Sequence, residues 1–366
     1  MNYEKKYRKE SDNFRSRKIS CSGSVSWESP SNIALIKYWG KRRNQIPVNP
    51  SLSFTLDRSV TRTSIRFTYD QKKKTNAFDF AVNGEKNQLF GKRVTKYLGE
   101  LHAYFPFLRY TDLEIDTENN YPHSAGIASS ASAFSALALC LTDIDYRLRS
   151  VSDRKTDFYR KASFISRLGS GSASRSVYGG AVLWGKINTI KGSSDEIALP
   201  LKVHEVFEGY KDIVLLVDDK EKAISSSEGH RLMKTNPFFR ARKKQARQNM
   251  EQLLRILDEG DTESFAELTE YEALSLHAMM MTSLPGYLLI TSNTLAIIQE
   301  IRQYRSESRI PVAFTMDAGA NVHLLFPGEY MDNVIELIKN ELLGFCSERK
   351  YLINSIGKGP KQVYND

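Results

Sequence analysis

Cysteine is scarce in this chain: Cys21, Cys140 and Cys346 are the only three in 366 residues. So few and so scattered, they exclude a disulfide framework and a Cys-rich zinc site. The six histidines, His102, His123, His204, His230, His277 and His323, lack zinc-ligand spacing. Long apolar runs are missing too. The most apolar stretch, Ala125 to Leu141, is broken by Ser129, Ser130, Ser132 and Ser135, so it does not read as a membrane span. Residues 1–20 hold no apolar core of the secretory type, which predicts a cytoplasmic address. No Gly-Lys-Ser/Thr phosphate loop, Gly-x-Gly-x-x-Gly fingerprint or Gly-x-Ser-x-Gly elbow occurs. P-loop, dinucleotide-dependent and α/β-hydrolase readings lose their support.

Positive charge is what the chain has in excess. Lys and Arg number 52 against 43 Asp and Glu, which favours anionic partners through the long-range field. Two clusters stand out: Lys5, Lys6, Arg8, Lys9, Arg15, Arg17 and Lys18, read as a solvated, flexible tail over 1–20, and Arg240, Arg242, Lys243, Lys244 and Arg247, read as a solvated helix face. RNA binding through these clusters is the competing interpretation; small phosphorylated substrates are the other.

Alternating β-branched and aromatic residues predict strands at 51–56, 61–69 and 77–82, the last closed by the turn pair Asn83-Gly84. A strand at 112–116 lies between helical patterns at 90–104 and 128–148, and a further helix follows at 155–167. The polar stretch Asn188 to Glu196 precedes a buried-looking strand at 212–217, placing a domain boundary near 205. Beyond it come helices at 237–258, 262–281, 294–306 and 330–343, with strands at 311–315 and 322–326. The chain therefore reads as α+β: a mixed domain over 21–205 and an α/β sandwich over 206–366.

Four segments carry chemistry. Gly126-Ile127-Ala128-Ser129-Ser130 opens a helix with tiny residues, either a phosphate cradle fed by free first-turn N–H groups or a tightly packed Ala/Ser helix. Gly169-Ser170-Gly171-Ser172 leads to Arg175. That is either a carboxylate or phosphate grip or a flexible turn before a surface Arg. Ser31 to Lys41 groups Asn32, Lys37, Tyr38, Trp39 and Lys41; the lysines suit phosphate and Trp39 suits the core. Asp317 sits in Met316-Asp317-Ala318-Gly319, as a turn former or as a carboxylate acting on a substrate hydroxyl.

In this order the four segments resemble the GHMP kinase superfamily, and within it the diphosphomevalonate decarboxylases. Lys37-Tyr38-Trp39-Gly40-Lys41, Pro122 to Ala133, Gly169 to Arg175 and Phe314 to Asn321 carry the likeness, with Ser225 to Gly229 as a further match. The resemblance implies a ribosomal protein S5 domain 2-like first domain, a ferredoxin-like second domain and a site in the cleft between them. It implies ATP-dependent phosphorylation of the 3-hydroxyl of mevalonate 5-diphosphate, then loss of phosphate and carbon dioxide to give isopentenyl diphosphate. ATP and Mg²⁺ are the implied cofactors and a homodimer the implied assembly, with no nucleic-acid or membrane partner.

By the same resemblance Asp317, Arg175, Ser226 and Lys37 are catalytic, with Asn32, Tyr38, Lys41, Ser170, Ser172 and Arg175 binding substrate. Gly126, Ala128, Ser129 and Ser130 cradle ATP, and no protein-bound metal cluster is implied. A phosphomevalonate decarboxylase or a mevalonate 3-kinase is the alternative within the superfamily. Ser227 stands where some relatives carry arginine, which bears on the preference for diphosphate.

Overall fold

The computed structural model describes residues 2–364 apart from 76, 123–126, 152–155, 219–223 and 225. Two sheets organise it. The first contains β1 (Ser20–Ala34), β2 (Ser51–Asp70), β3 (Phe78–Val82), β4 (Glu85–Lys86), β5 (Thr111–Asn119), β6 (Ala181–Trp184) and β7 (Ala198–Leu201). The second contains β8 (Lys211–Leu215), β9 (Ala313–Thr315), β10 (Val322–Phe326) and β11 (Tyr351–Ser355), in the antiparallel order β11-β8-β10-β9. The last strand, β12 (Lys361–Val363), returns to the first sheet and pairs with β1, giving the order β12-β1-β2-β5-β3-β4 with β6 and β7 branching from β2. The segment 206–366 is therefore not confined to the second sheet.

The helices are α1 (Tyr3–Asp12), α2 (Gln88–Leu101), α3 (Ser129–Leu148), α4 (Thr156–Gly169), α5 (Glu205–Glu208), α6 (Ser226–Leu232), α7 (Phe239–Glu259), α8 (Thr262–Met281), α9 (Ser292–Ser308) and α10 (Met331–Leu337). Most predicted elements lie where periodicity put them. The two strands expected at 51–56 and 61–69 are one continuous β2, and the Asn83-Gly84 turn takes positive φ at both residues, 53° and 76°, as a two-residue hairpin demands. Strand β1 escaped prediction because Ser is its commonest residue, with Gly23 and Pro30 interrupting it. It is held instead by register with β2 and by hydroxyl pairs such as the buried Ser29–Ser135 at 2.6 Å and the partly buried Ser26–Ser64 at 2.8 Å.

The N-terminal segment corrects an expectation. Residues 3–12 are not a solvated tail but helix α1, capped by Asn2 and seated in the main core through Tyr3 and Tyr7. Tyr7 is fully buried against Phe164 at 5.2 Å, and the Tyr3 N–H donates to Glu196 at 2.6 Å. Lys161 on α4, itself buried, bonds Asp145 at 2.9 Å and approaches Glu10 of α1 at 3.5 Å. Lys5, Lys6, Arg8 and Lys9 are thus on the outer side of a helix whose two tyrosines point inward, while Arg15, Arg17 and Lys18 follow it and are exposed.

A second apolar core spans both sheets. It joins Ile33, Leu52, Phe54 and Leu183 of the first domain to Leu253, Phe265, Val214 and Leu325 of the second. Dispersion and area burial there hold the two domains in one relative position. Among the described residues no helix is long and apolar enough to cross a membrane.

Because α1 is part of the core, Tyr7→Ala is expected to destabilise the protein by about 3 kcal/mol, the scale of emptying a buried aromatic site. Urea unfolding of wild type and variant checks this. A midpoint unchanged by the substitution would return α1 to the status of a loose tail.

Candidate active site

The loop leaving β1 runs along the floor of a cavity of about 640 Å³ whose walls come from both domains. Lys37, Tyr38 and Lys41 enter it from that loop, Ala128, Ser129 and Ser130 from the start of α3, and Ser170, Ser172 and Arg175 from the segment after α4. Asp317 reaches it from the turn after β9. Four segments separated by up to 280 residues in the chain thus converge on one volume, as the sequence reading expects.

Lys37 and Asp317 meet across the cleft. The buried Lys37 Nζ donates to Asp317 Oδ1 at 2.9 Å, while the Asp317 carboxylate keeps about a quarter of its surface open to the cavity. Burial lowers the Lys37 pKa from the ordinary lysine value, and the charges of Asp317 and Glu272 partly offset the shift. The Asp317 main-chain oxygen lies 3.0 Å from His277 Nε2 and accepts from the Gly319 N–H at 2.8 Å, so the turn is held from behind.

Arg175 is buried, with Nε and Nη2 donating to Asn32 Oδ1 at 3.3 and 3.2 Å and Nη1 to Ser51 Oγ. These partners are neutral, and no carboxylate forms an ion pair with it among the described residues. Burial pushes its pKa down to about 10 against the opposing pull of Tyr38 and Asp317. A desolvated cation of this kind is costly unless an anion joins it. Asn32, expected to bind substrate, has its oxygen occupied by Arg175 and its amide by Ser176 Oγ at 2.8 Å; here it orients the guanidinium. The Tyr38 ring lies edge-on to Trp184 at 5.0 Å, with the Arg175 guanidinium 5.7 Å from its centre.

Local geometry explains the glycines and the small residues. A Cβ on Gly169 would lie 2.1 Å from the Phe134 ring, and one on Gly171 would strike Trp184 at 2.7 Å. The loop can lie this close to the core only without side chains at those positions. Ala128 takes φ 44°, unusual for a residue with a Cβ, and as the N-cap of α3 it offers no side-chain hydrogen bond to the first turn. A helix start of this kind suits an anion, although the Ala131 N–H already bonds the Ala128 carbonyl at 2.7 Å; Ser130 Oγ lies 3.2 Å from Ser170 Oγ and ties the two loops together.

Gly126 lies outside the described residues. Ser226 opens α6, and its side chain likewise lies outside them. The helix behind it is anchored by His230, whose Nδ1 accepts the Gly40 N–H at 2.8 Å. His230 also stacks 4.4 Å from the Trp39 ring, and Trp39 is buried as expected.

Sequence reasoning missed several wall residues. Arg93 and Lys96 of α2 face the cavity one turn apart. Burial lowers the pKa of both Arg93 and Lys41, and for Lys41 the charge of Arg93 adds to the effect. The signal was there in a cation pair at i, i+3 beside the buried Val94, Tyr97 and Leu98 stripe. Arg242 was read as part of a solvated face, and this too needs correction. It is buried and bonded to Glu272 at 2.6 Å, on the inward stripe with Ala246, Asn249 and Leu253.

A second cavity, about 320 Å³, adjoins the first through Phe90, Ser129, Ser130 and Phe134. Phe80, Val82, Val94 and Leu137 make its walls apolar, with Asn83 and Asn87 at hand for polar edges. Among the described residues no group of three or more His, Cys, Asp or Glu converges as a metal cage would require.

Neutral His230 predicts a titration. Burial, with Lys41 adding to it, pushes its pKa to about 3. Between pH 6.5 and 3 the unfolded chain therefore binds a proton that the folded chain refuses. The stability linked to this group is complete above pH 6.5 and is lost as pH falls through that window. His230→Gln is expected to lower the melting temperature at pH 7 but to flatten its decline toward pH 4.5; a decline as steep as wild type would remove His230 from this account.

Comparison with known proteins adds independent findings. Residues 29–197 match the family described as "Diphosphomevalonate decarboxylase-like N-terminal domain", and residues 212–362 match "Mevalonate 5-diphosphate decarboxylase C-terminal domain". The diphosphomevalonate decarboxylase of Ganoderma lucidum is 30% identical, the match covering 85% of this chain and 80% of that one. The solved mevalonate diphosphate decarboxylase of Staphylococcus aureus superposes with a TM-score of 0.80 at 28% identity, over 94% of this chain and 99% of that one. A structure described as MDDEF in complex with MVAPP, AMPPCP and magnesium gives 0.78 at 27% identity, over 94% and 100%.

Proposed function

The chain belongs to the diphosphomevalonate decarboxylase family, and we propose that it carries out the ATP-dependent decarboxylation of mevalonate 5-diphosphate to isopentenyl diphosphate. The observation that carries the reading is one cavity holding the Lys37–Asp317 pair beside Arg175, a buried cation with no carboxylate ion pair among the described residues.

Asp317 takes or orients the proton of the substrate's 3-hydroxyl as that oxygen attacks the terminal phosphorus of ATP, and ADP leaves. Lys37 holds the carboxylate in place and neutralises charge on the transferred group. The C3–O bond then breaks with phosphate departing, and the adjacent C–C bond to the carboxylate follows. Its electron pair becomes the new double bond, and carbon dioxide is released. Arg175 grips that carboxylate with a planar fork that an ammonium cannot reproduce.

Tyr38, Lys41, Ser170 and Ser172 hold the substrate's polar ends, and Arg93 and Lys96 add the cations that a diphosphate needs. Ala128, Ser129, Ser130 and the first turn of α3 cradle the phosphates of ATP, and the family likeness adds Gly126 to that cradle and assigns Ser226 to the group in transit. The adjoining 320 Å³ cavity, apolar with amide edges, suits the purine base. Hard oxygens that fit Mg²⁺ are present in the Asp317 carboxylate and the Ser129 and Ser130 hydroxyls, and the ion when bound neutralises phosphate charge. The family likeness extends the reading to a cytoplasmic homodimer, which sedimentation of the purified protein tests.

The experiment is direct: purified protein with ATP, Mg²⁺ and mevalonate 5-diphosphate or 5-phosphate, with ADP and carbon dioxide quantified together. Equal release of both from the diphosphate is the expected result. ADP alone would make the protein a kinase, and equal release only from the monophosphate would change the substrate. Asp317→Asn is expected to lower kcat by about 10² to 10⁴, the range for a positioned acid or base, with ATP affinity nearly unchanged. Arg93→Ala is expected to raise KM for the diphosphate by about tenfold, as loss of a charge-assisted contact does. A KM equal to wild type would move Arg93 out of the substrate's reach.

A further inference from the structure

Behind Lys37 lies a buried ionic cluster that the reaction as described does not use. Glu272 of α8 is wholly buried. Its Oε2 accepts the main-chain N–H of Lys37 at 2.9 Å and Arg242 Nη2 at 2.6 Å. Its Oε1 accepts Arg242 Nη1 at 2.8 Å and Asn249 Nδ2 at 2.5 Å. Arg242 Nη2 also reaches the Lys37 carbonyl at 3.2 Å, and Asn49 Nδ2 donates to the same oxygen at 3.1 Å. The main-chain N–H and C=O of Lys37 are thus both held from the second domain, with Asn49 of the first domain adding to the grip on the C=O. Five residues along the same helix, His277 holds the main-chain oxygen of Asp317. One helix, α8, therefore fixes the backbones of both members of the Lys37–Asp317 pair.

Stability alone does not account for this cluster. Buried ion pairs often contribute no more than apolar side chains of equal volume, since desolvation consumes the Coulombic gain. A carboxylate here does what no apolar residue could, receiving a specific backbone N–H while presenting charge to the lysine beyond it.

We propose that Glu272, held by Arg242 and Asn249, is a positioning residue for phosphoryl transfer, fixing the Lys37 peptide so that Nζ stays on Asp317. The proposal rests on the reading above that Lys37 and Asp317 serve the acceptor hydroxyl. A second consequence is electrostatic. Lys37 faces Asp317 from the turn after β9, Glu272 from α8, Arg242 from α7 and Arg175 from the segment after α4. Burial and Arg175 favour its neutral form, and Asp317 and Glu272 favour the ammonium. Removing the Glu272 charge lets the lysine lose its proton at lower pH.

Glu272→Gln keeps the volume and an acceptor for the Lys37 N–H while removing the charge. The expected result is a kcat lower by about tenfold to a hundredfold, the cost of a small misplacement of a reacting group. KM values for ATP and mevalonate 5-diphosphate should change little, and the alkaline limb of the kcat–pH profile should move to lower pH. In case the lone Arg242 prevents folding, the double variant Arg242→Met with Glu272→Leu removes both charges together. It is expected to fold and to show the same loss of kcat. Wild-type kcat and an unshifted alkaline limb in either folded variant would overturn the proposal. Asp317→Asn, assayed alongside, separates the two claims. If it too retains turnover, the reading of the site fails; if it is inactive while Glu272→Gln is unaffected, only the role of Glu272 fails.

Discussion

The contact between Lys37 and Asp317 is the constraint on which the rest of this structure depends. One residue leaves the first sheet and the other hangs from the second. A 2.9 Å contact between them exists only while the two domains keep one relative position, and ångström-scale drift would separate a charge pair whose strength falls steeply with solvation. The apolar core shared by Phe54, Leu183, Phe265 and Leu325 supplies the coarse alignment. The return of β12 to pair with β1 adds a covalent path back to the first sheet. Fine alignment comes from α8, which grips the backbone on either side of the contact.

Beside that contact stand three further cations, Arg175, Lys41 and Arg93, that form no ion pair among the described residues. Arg175 rests on neutral partners, burial raises the cost of charge on Lys41 and Arg93, and Arg93 adds to that cost for Lys41. Burying positive charge without compensation is unfavourable, and a polyanion that joins it makes it favourable. A site for substrate and nucleotide phosphates together has this character, and the chain's excess of basic residues is partly spent there. The exposed basic face of α7 and the outer face of α1 add to the same long-range field.

Where charge patterns misled, the cause was periodicity overlooked beneath composition. Arg242 belongs to a run of basic residues, yet it occupies the same stripe as Ala246 and Leu253 and points inward. Residues 3–12 are polar on average, yet Tyr3 and Tyr7 lie four apart on one face and pull the helix into the core. In both cases side-chain direction on a 3.6-residue helix decided burial. Strand β1 was hidden for the opposite reason: its own residues carry little strand propensity, and pairing with β2 supplies what they lack.

By itself the sequence determined the local grammar of this protein: the strands and helices of strong period, the Asn83-Gly84 hairpin, the glycines before Arg175 and the small residues opening α3. It also marked Lys37, Lys41 and Asp317 as candidates, because motif residues carry their chemistry wherever they are placed. Only the tertiary structure decided which of them meet. The Lys37–Asp317 contact, the diversion of Asn32 to Arg175, the arrival of Arg93 from α2 and the clamp of Glu272 on a peptide 235 residues away all depend on how separate elements dock. Docking is set by shape and burial summed over many residues, which no short window of sequence contains.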